Sequence, residues 1–289
     1  LTVGFTPRLR RALRYFAAIL AAAAVTAASF YLFSGHASVE VTFLDVSQGE
    51  SIFIKTSEGK TILVDGGSSN IKDVGRRVLL PFFRNQGVRR LDYILITHFD
   101  LDHYSGLSEV IRNLKVDLIL RGPMEPVDKE PAFEEFISEI KSQKIPTRTV
   151  KAGDVIRLDS ETRLDILSPD EKLVESGELS VNNGSVVAKL VHGGFSLLLG
   201  ADIEHEMEYL LVRQRLFNLK STVIKVPHHG SDSSSTTEFI RAVDPAAAVI
   251  SCGSFPRAPA NLDEVVERYH DRDIEVLRTD LGGAIHLKL

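Results

Sequence analysis

From Ser38 onward the chain alternates short apolar runs, turn residues and amphipathic stretches. Ser38–Val46 alternates apolar and polar residues, the period-2 pattern of a half-buried strand. Ser51–Lys55 and Thr61–Val64 continue as strands, with Glu58-Gly59 as the turn between them. A helix is predicted from Asn70 to about Gln86, interrupted by Pro81. The apolar run Leu91–Ile96 reads as a buried strand ending at Thr97, Tyr104–Asn113 as a helix and Val116–Leu120 as a strand. Ala132–Gln143 is a strongly amphipathic helix. In the second half, Val155–Leu158 and Thr162–Leu167 form a strand pair, and Ser185–Val191 and Phe195–Leu199 flank a turn at His192-Gly193-Gly194. A helix over Ile203–Arg215, a strand over Thr222–Val226, a helix, a strand over Ala247–Ile250, a helix over about Leu262–His270 and two last strands complete the pattern. Each half mixes strands and helices, strands first. That predicts an α/β fold of two face-to-face sheets with helices outside, not a simple parallel sheet.

The N-terminus differs in kind. Arg8, Arg10, Arg11 and Arg14 precede an uncharged run from Tyr15 to Phe33, about the length needed to cross a bilayer as a helix. Basic residues before the run predict the N-terminus inside and the rest on the extracytoplasmic side. Residues 1–37 are therefore read as a transmembrane anchor or a signal segment cut after Ala37, and residues 38–289 as one catalytic domain. The first residue is Leu, which fits a fragment of a longer membrane protein or a non-standard start codon.

Composition changes little: 44% hydrophobic and 25% charged residues are ordinary for a globular chain. The single cysteine, Cys252, excludes an internal disulfide and a cysteine-based zinc knuckle. It follows the apolar run Ala246–Ile250 and is read as a small core residue rather than a nucleophile. Charge matters more. Four of the 34 basic residues lie in residues 1–37, which hold no acids, leaving 30 against 39 acidic residues and a formal charge of −9 beyond them. An acidic domain is not a general polyanion-binding surface. Any nucleic-acid contact would need a local patch such as Arg76, Arg77, Arg84, Arg89 and Arg90, which also reads as a solvated face.

The chemistry concentrates at strand ends. The loop Thr97-His98-Phe99-Asp100-Leu101-Asp102-His103 places four metal-capable side chains within six residues. Imidazole with carboxylate suits zinc, manganese or iron. Asp65, closing a strand before Gly66-Gly67, is expected behind a ligand, holding an imidazole in one tautomer. Asp202 closes an apolar strand, where a carboxylate is costly unless paired or metal-bound, and is the natural bridging ligand; it could also cap the next helix. Of His228 and His229, one should complete a metal site, because adjacent residues on an extended segment point opposite ways. His228 is expected there, leaving His229 to bind substrate or move a proton. Ser231 and the serines after it form a polar helix entry suited to an anion such as phosphate. His192, His205, His270 and His286 read as surface or structural residues.

Several segments carry a resemblance: Phe43-Leu44-Asp45-Val46-Ser47-Gln48-Gly49-Glu50-Ser51, Leu63–Gly67, Gly87–Asp92, the His98 loop, Asn183-Gly184-Ser185, Gly200-Ala201-Asp202, His228-His229-Gly230-Ser231 and Arg278-Thr279-Asp280. In this order they resemble the metallo-β-lactamase fold superfamily and, within it, the C-terminal hydrolase domain of ComEC competence proteins. The resemblance implies an αββα sandwich with a metal site at one edge of the sheets. It departs from the family pattern in places. Asp100 stands where the wider superfamily has His, a variation shared with the competence branch. The third-motif His is missing, with Asn183 near its place. Ser47, Glu50 and Ser105 replace Gly, Asp and Gly. No His-Pro follows the late strand, where the chain reads Phe255–Asn261. These departures weigh against β-lactam hydrolysis and put one metal position in question.

Two divalent cations, Zn2+ or Mn2+, are thus expected: one on His98, Asp100 and Asp202, the other on Asp102, His103, Asp202 and His228. Asp102 and His229 are the candidate catalytic residues. Asp65, Gln48, Asn183 and Ser231 would support ligands or touch substrate. The leading expectation is a phosphodiester hydrolase, a nuclease acting on DNA during uptake beside competence channel proteins. The alternatives are a phosphodiesterase for small surface groups such as phosphorylcholine, and a non-catalytic module of a DNA-uptake assembly.

Overall fold

The computed structural model describes residues 15–26, 38–126, 131–254, 256 and 258–289. The chain divides into two compact units, Leu1–Ala37 and Ser38–Leu289. In the first, residues 15–26 are helical. The basic residues 8–14 and residues 27–33 of the expected span lie outside the described residues. Among the described residues no helix is long and apolar enough to cross a membrane.

The second unit contains, among the described residues, two seven-stranded sheets. The first is built from β1 (Glu40–Phe43), β2 (Ile52–Lys55), β3 (Thr61–Val64), β4 (Arg90–Ile96), β5 (Lys115–Arg121), β6 (Thr147–Thr149) and the last strand, β14 (Ile285–Lys288). Its order is β14-β1-β2-β3-β4-β5-β6. The second comprises β7 (Val155–Arg157), β8 (Thr162–Ser168), β9 (Val187–His192), β10 (Phe195–Leu199), β11 (Val223–Lys225), β12 (Ala247–Ile250) and β13 (Glu275–Arg278), in the order β13-β12-β11-β10-β9-β8-β7. Three apolar layers show how they stack. Val41, Ile54, Val64 and Leu95 of one sheet meet Leu164, Leu190, Leu197 and Val223 of the other. Leu63, Ile94 and Ile119 face Leu79, Phe83, Val110 and Phe136 of helices. Leu198, Ile224 and Ala248 face Met207, Phe239, Val265 and Tyr269 of other helices. Inner and outer faces alternate along each strand, giving the αββα layering that the periodicity predicts.

Several boundaries differ from expectation. The first helix starts later: a π-helical turn, Gly75–Leu79, runs into α1 (Leu80–Asn85). Pro81 does not interrupt it, because the proline falls in the first turn of α1, where its missing N–H costs least. The expected 104–113 helix is two, α2 (Leu101–Tyr104) and α3 (Leu107–Asn113), so Asp102 and His103 lie on a helical turn rather than in a loop. Helix α4 (Pro131–Ser142) matches the amphipathic pattern. The exposed edge strand β6 and the short helix α5 (Glu171–Ser176) were not expected. His192 ends β9, with its Nδ1 2.9 Å from the Thr162 hydroxyl, instead of sitting in the turn. Helix α6 (His205–Gln214), α7 (Thr237–Val243), α8 (Leu262–His270) and the short α9 (Thr279–Gly282) close the outer layers.

The parallel pairs position the site. β3 pairs β4, and β10, β11 and β12 pair in turn, all in parallel. Their carboxyl ends therefore point the same way within each sheet, and segments leaving them gather at one edge.

Candidate metal centre

Five strand ends supply the site. Asp65 follows β3, the Thr97–His103 segment follows β4, Asp202 follows β10, His229 follows β11 and Ser251 follows β12. The turns leaving them are tight. Asp65, Ala201, His228 and His229 all adopt positive φ, at 54°, 48°, 50° and 53°. Such residues are rare outside glycine and cluster where surrounding structure forces them.

The imidazoles are held by their Nδ1 atoms. His103 Nδ1 lies 2.8 Å from Asp65 Oδ2, and His229 Nδ1 lies 3.0 Å from the Ser251 carbonyl oxygen. Both partners only accept, so each ring donates through Nδ1–H. Thr97 Oγ1 donates to Asp65 Oδ2 at 2.7 Å and accepts from His98 Nδ1 at 3.1 Å. All three Nε2 atoms then carry lone pairs aimed inward. They are buried and have no hydrogen-bond partner in the protein. Yet His103 Nε2 and His229 Nε2 lie 3.2 and 3.3 Å from Asp202 Oδ2, and His229 Nε2 is 3.5 Å from Asp102 Oδ2. Lone pairs facing carboxylates repel unless a cation or a proton stands between them. The donor atoms of His98, His103 and Asp202 lie within 4.8 Å of one another, as do those of Asp102, His103 and His229. Imidazole and carboxylate at this spacing fit divalent cations, and the orphaned Nε2 atoms are what such cations would occupy.

Without a cation, protons take that place. Burial disfavours the charged ring of His229, but Asp202 and Asp102 outweigh it and raise its pKa to about 9. For His103, burial is likewise outweighed, by Asp202 and Asp65, and its pKa stands well above the ordinary value. Burial would raise the pKa of Asp202, but His229, His103 and Lys225 hold it well below the usual carboxylate range. His229 is thus protonated at pH 7, and each imidazole must give up any Nε2 proton to ligate. Cation binding is expected to release protons near neutral pH, and apparent affinity to climb as pH rises toward about 9. Proton uptake or release followed with an indicator dye checks this; binding without release would contradict it.

The two adjacent histidines stand the other way round from expectation. His228 and His229 form a 3₁₀ turn, Pro227–Gly230, and both are left-handed, so the alternation rule for extended chain does not apply. His229 points into the cluster. His228 is half-buried, with Nδ1 3.0 Å from Ser233 Oγ and 3.6 Å from Glu204 Oε1. Asp100 sits at the open rim, its side chain 48% exposed and 3.6 Å from His98 Nε2. Gln48 Oε1 accepts from Gly253 N at 3.2 Å, and Ser231 Oγ lies 3.1 Å from Ser233 Oγ. Asn183 accepts from Glu204 N at 2.8 Å and donates to Glu206 at 3.2 Å, steadying the turn after Asp202 rather than reaching the cluster. Asp202 itself does not cap α6, whose N-cap is Glu204.

Sequence reasoning missed Lys225, Thr97 and Ser251, and noted Glu50 only as a departure from a family pattern. Lys225 is 1% exposed, and its Nζ ion-pairs with Glu50 Oε2 and lies 3.5 Å from Asp202 Oδ1. The signal was present: a lone lysine inside Val223-Ile224-Lys225-Val226 has no cheap place in a buried strand.

Glycine lets the loops touch. A Cβ on Gly67 would lie 2.5 Å from His103 N and 2.5 Å from Leu101 O. Gly67→Ala is therefore expected to cost about 1–3 kcal/mol by overpacking and to weaken cation binding by displacing α2. Thermal melts and metal titration of the variant check both. Cys252 is inert for a different reason. Burial, with the Asp280 carboxylate beside it, pushes its thiol up to about 12. It should resist thiol reagents at pH 8 in the folded protein and react on unfolding; fast labelling when folded would contradict this.

Two packed sheets flanked by helices, with a histidine–carboxylate cluster at the strand ends, define an αββα protein with a candidate metal site. The chain belongs to the metallo-beta-lactamase superfamily, whose family model matches residues 44–254. It is 30% identical over 265 residues to ComE operon protein 3 of Bacillus subtilis (strain 168), covering 86% of this chain and 33% of that protein. It is 30% identical over 249 residues to competence protein ComA of Neisseria gonorrhoeae, covering 86% and 32%. The chain thus spans about a third of the length of these curated relatives. Among solved structures it is similar in fold to CmlA, a diiron beta-hydroxylase from Streptomyces venezuelae, with a TM-score of 0.55 and 16% identity over 87% of this chain and 54% of that one.

Proposed function

We propose that this superfamily hydrolase cleaves phosphodiesters with two divalent cations, and that its substrate is DNA handled during uptake. The carrying observation is the set of buried, unpartnered Nε2 atoms facing Asp102 and Asp202. His98, His103 and Asp202 would hold one cation, Asp102, His229 and a shared Asp202 the other, with Asp100 at the rim; Zn2+ and Mn2+ both suit these donors. Bound cations would supply Lewis acidity, activating water and neutralising phosphoryl oxygens. The chain's own residues do the rest. Asp65 and the Ser251 carbonyl fix two imidazoles in the ligating tautomer. His228, half-buried and steadied by Ser233, would meet the substrate and pass a proton to the leaving oxygen. From the sequence, this role was expected of His229.

The DNA substrate rests on the similarity to two proteins named for competence. The −9 formal charge beyond residue 37 favours a second reading, a phosphodiesterase for small groups. Of the basic patch, Arg76 faces Asp73 and Arg90 faces Asp117, which spends part of its charge. The four arginines before an uncharged 15–33 run support an anchor with the domain outside the membrane. Incubation with single-stranded DNA and with choline phosphodiesters, each with Mn2+ or Zn2+, separates the readings. Salt-sensitive DNA cleavage supports the first, choline release alone the second, and neither activity a non-catalytic module.

A further inference from the structure

Lys225 sits beside the cluster, buried against Asp202. Its Nζ donates to the Ala201 carbonyl at 3.0 Å, ion-pairs with Glu50 Oε2 and faces Asp202 Oδ1 at 3.5 Å. Asp202 Oδ2 is the oxygen that faces His103 and His229. Glu50 extends the connection. Its Oε1 accepts from the Ser251 hydroxyl at 2.9 Å, and the carbonyl of Ser251 receives His229 Nδ1–H. The backbone N of Glu50 donates to the Asp102 carbonyl at 2.9 Å, and its carbonyl accepts from Gly67 N at 3.1 Å. Glu50 follows β1 of one sheet and Lys225 ends β11 of the other. One buried ion pair therefore joins the sheets and fixes the turns carrying Asp102, Asp202 and His229.

We propose that Lys225 is a positioning residue of the metal centre: its ammonium, 3.5 Å away, draws Asp202 Oδ1 to its side by charge, so that a single oxygen, Oδ2, is presented to the cations. This rests on the metal-centre reading above. A fully buried ammonium has to be matched by opposite charge, and here the matching groups are Glu50 and Asp202. With Lys225 replaced by an apolar chain, Asp202 is free to rotate and offer both oxygens, and the coordination number rises. Lys225 also places a fixed positive charge beside a carboxylate-rich cation site, which offsets part of the gain from good ligand geometry.

The test uses Co2+ as the probe on the full chain, because its visible absorption reports coordination number and geometry. The single change Lys225→Met would leave Glu50 buried and unpaired, so the double variant Lys225→Met/Glu50→Gln is measured beside it. The expected result is a folded double variant whose Co2+ spectrum differs from wild type, with weaker visible absorption per bound ion, and whose Co2+ affinity falls roughly 10-fold, the lower end for residues behind a ligand. A folded double variant with the wild-type spectrum and affinity would overturn the proposal. So would failure of the double variant to fold, which would make the pair a fold element alone. Wild-type protein that binds no Co2+ would sink the metal-centre reading itself.

Discussion

Asp202→Ala and His229→Ala will strip the chain of its cations, whereas His228→Ala will keep them. Asp202 Oδ2 stands 3.2 and 3.3 Å from two ligand nitrogens, so its loss opens both halves of the cluster. His229 Nε2 is buried and aimed at Asp102 and Asp202, while His228 Nδ1 is taken by Ser233. Residues behind a ligand cost roughly 10- to 100-fold in affinity, so deleting Asp202 or His229 should cost more than about 100-fold. Elemental analysis after dialysis reads the result directly. The contrast between neighbours carries the test, because the two histidines differ in aim and not in chemistry. Loss of metal in His228→Ala with retention in His229→Ala would restore the assignment made from the sequence.

Lys225→Met should destabilise the fold by about 3–5 kcal/mol, the cost of leaving a buried charge without its partner. Glu50 is 1% exposed, and its other carboxylate oxygen accepts from the Ser251 hydroxyl. Glu50→Gln should also destabilise, because it leaves Lys225 facing Asp202 alone. Lys225→Met/Glu50→Gln should recover much of the loss, since replacing both members of a buried pair is often near neutral. Urea unfolding of the four proteins closes a double-mutant cycle. A double variant as unstable as the two single losses added together would show that the pair is not coupled.

The layered fold was legible because period-2 strands and a marked amphipathic helix leave little choice of architecture. Leu91–Ile96 and Phe195–Leu199 could be read as strands from their apolar runs, and the acidic residues at their ends drew attention to the site. The short elements were not legible. β6 is exposed at all three positions, Thr147–Thr149, so no hydrophobic pattern marks it. The helix over Leu101–Tyr104 is too short for any period. The different placing of His228 and His229 has a backbone cause: the alternation argument assumes extended chain, and two successive left-handed residues turn both rings away from the expected faces. Ser47 shows what a single residue can hide. It takes φ 60°, steadied by the Asp45 carboxylate 2.9 Å from its N, where the family pattern has glycine. Lys225 could have been found, since a charge in a buried strand is costly, but its partner Glu50 lies 175 positions away in number and no local pattern joins them.

The most direct test of the central claim is anomalous diffraction from crystals of the protein soaked in Zn2+, recorded at the zinc edge. The account predicts density bounded by His98, His103, Asp102, Asp202 and His229, with metal–nitrogen distances of about 2.0–2.1 Å to the Nε2 atoms. Density at His228 instead, or none within this cluster at saturating Zn2+, would contradict it.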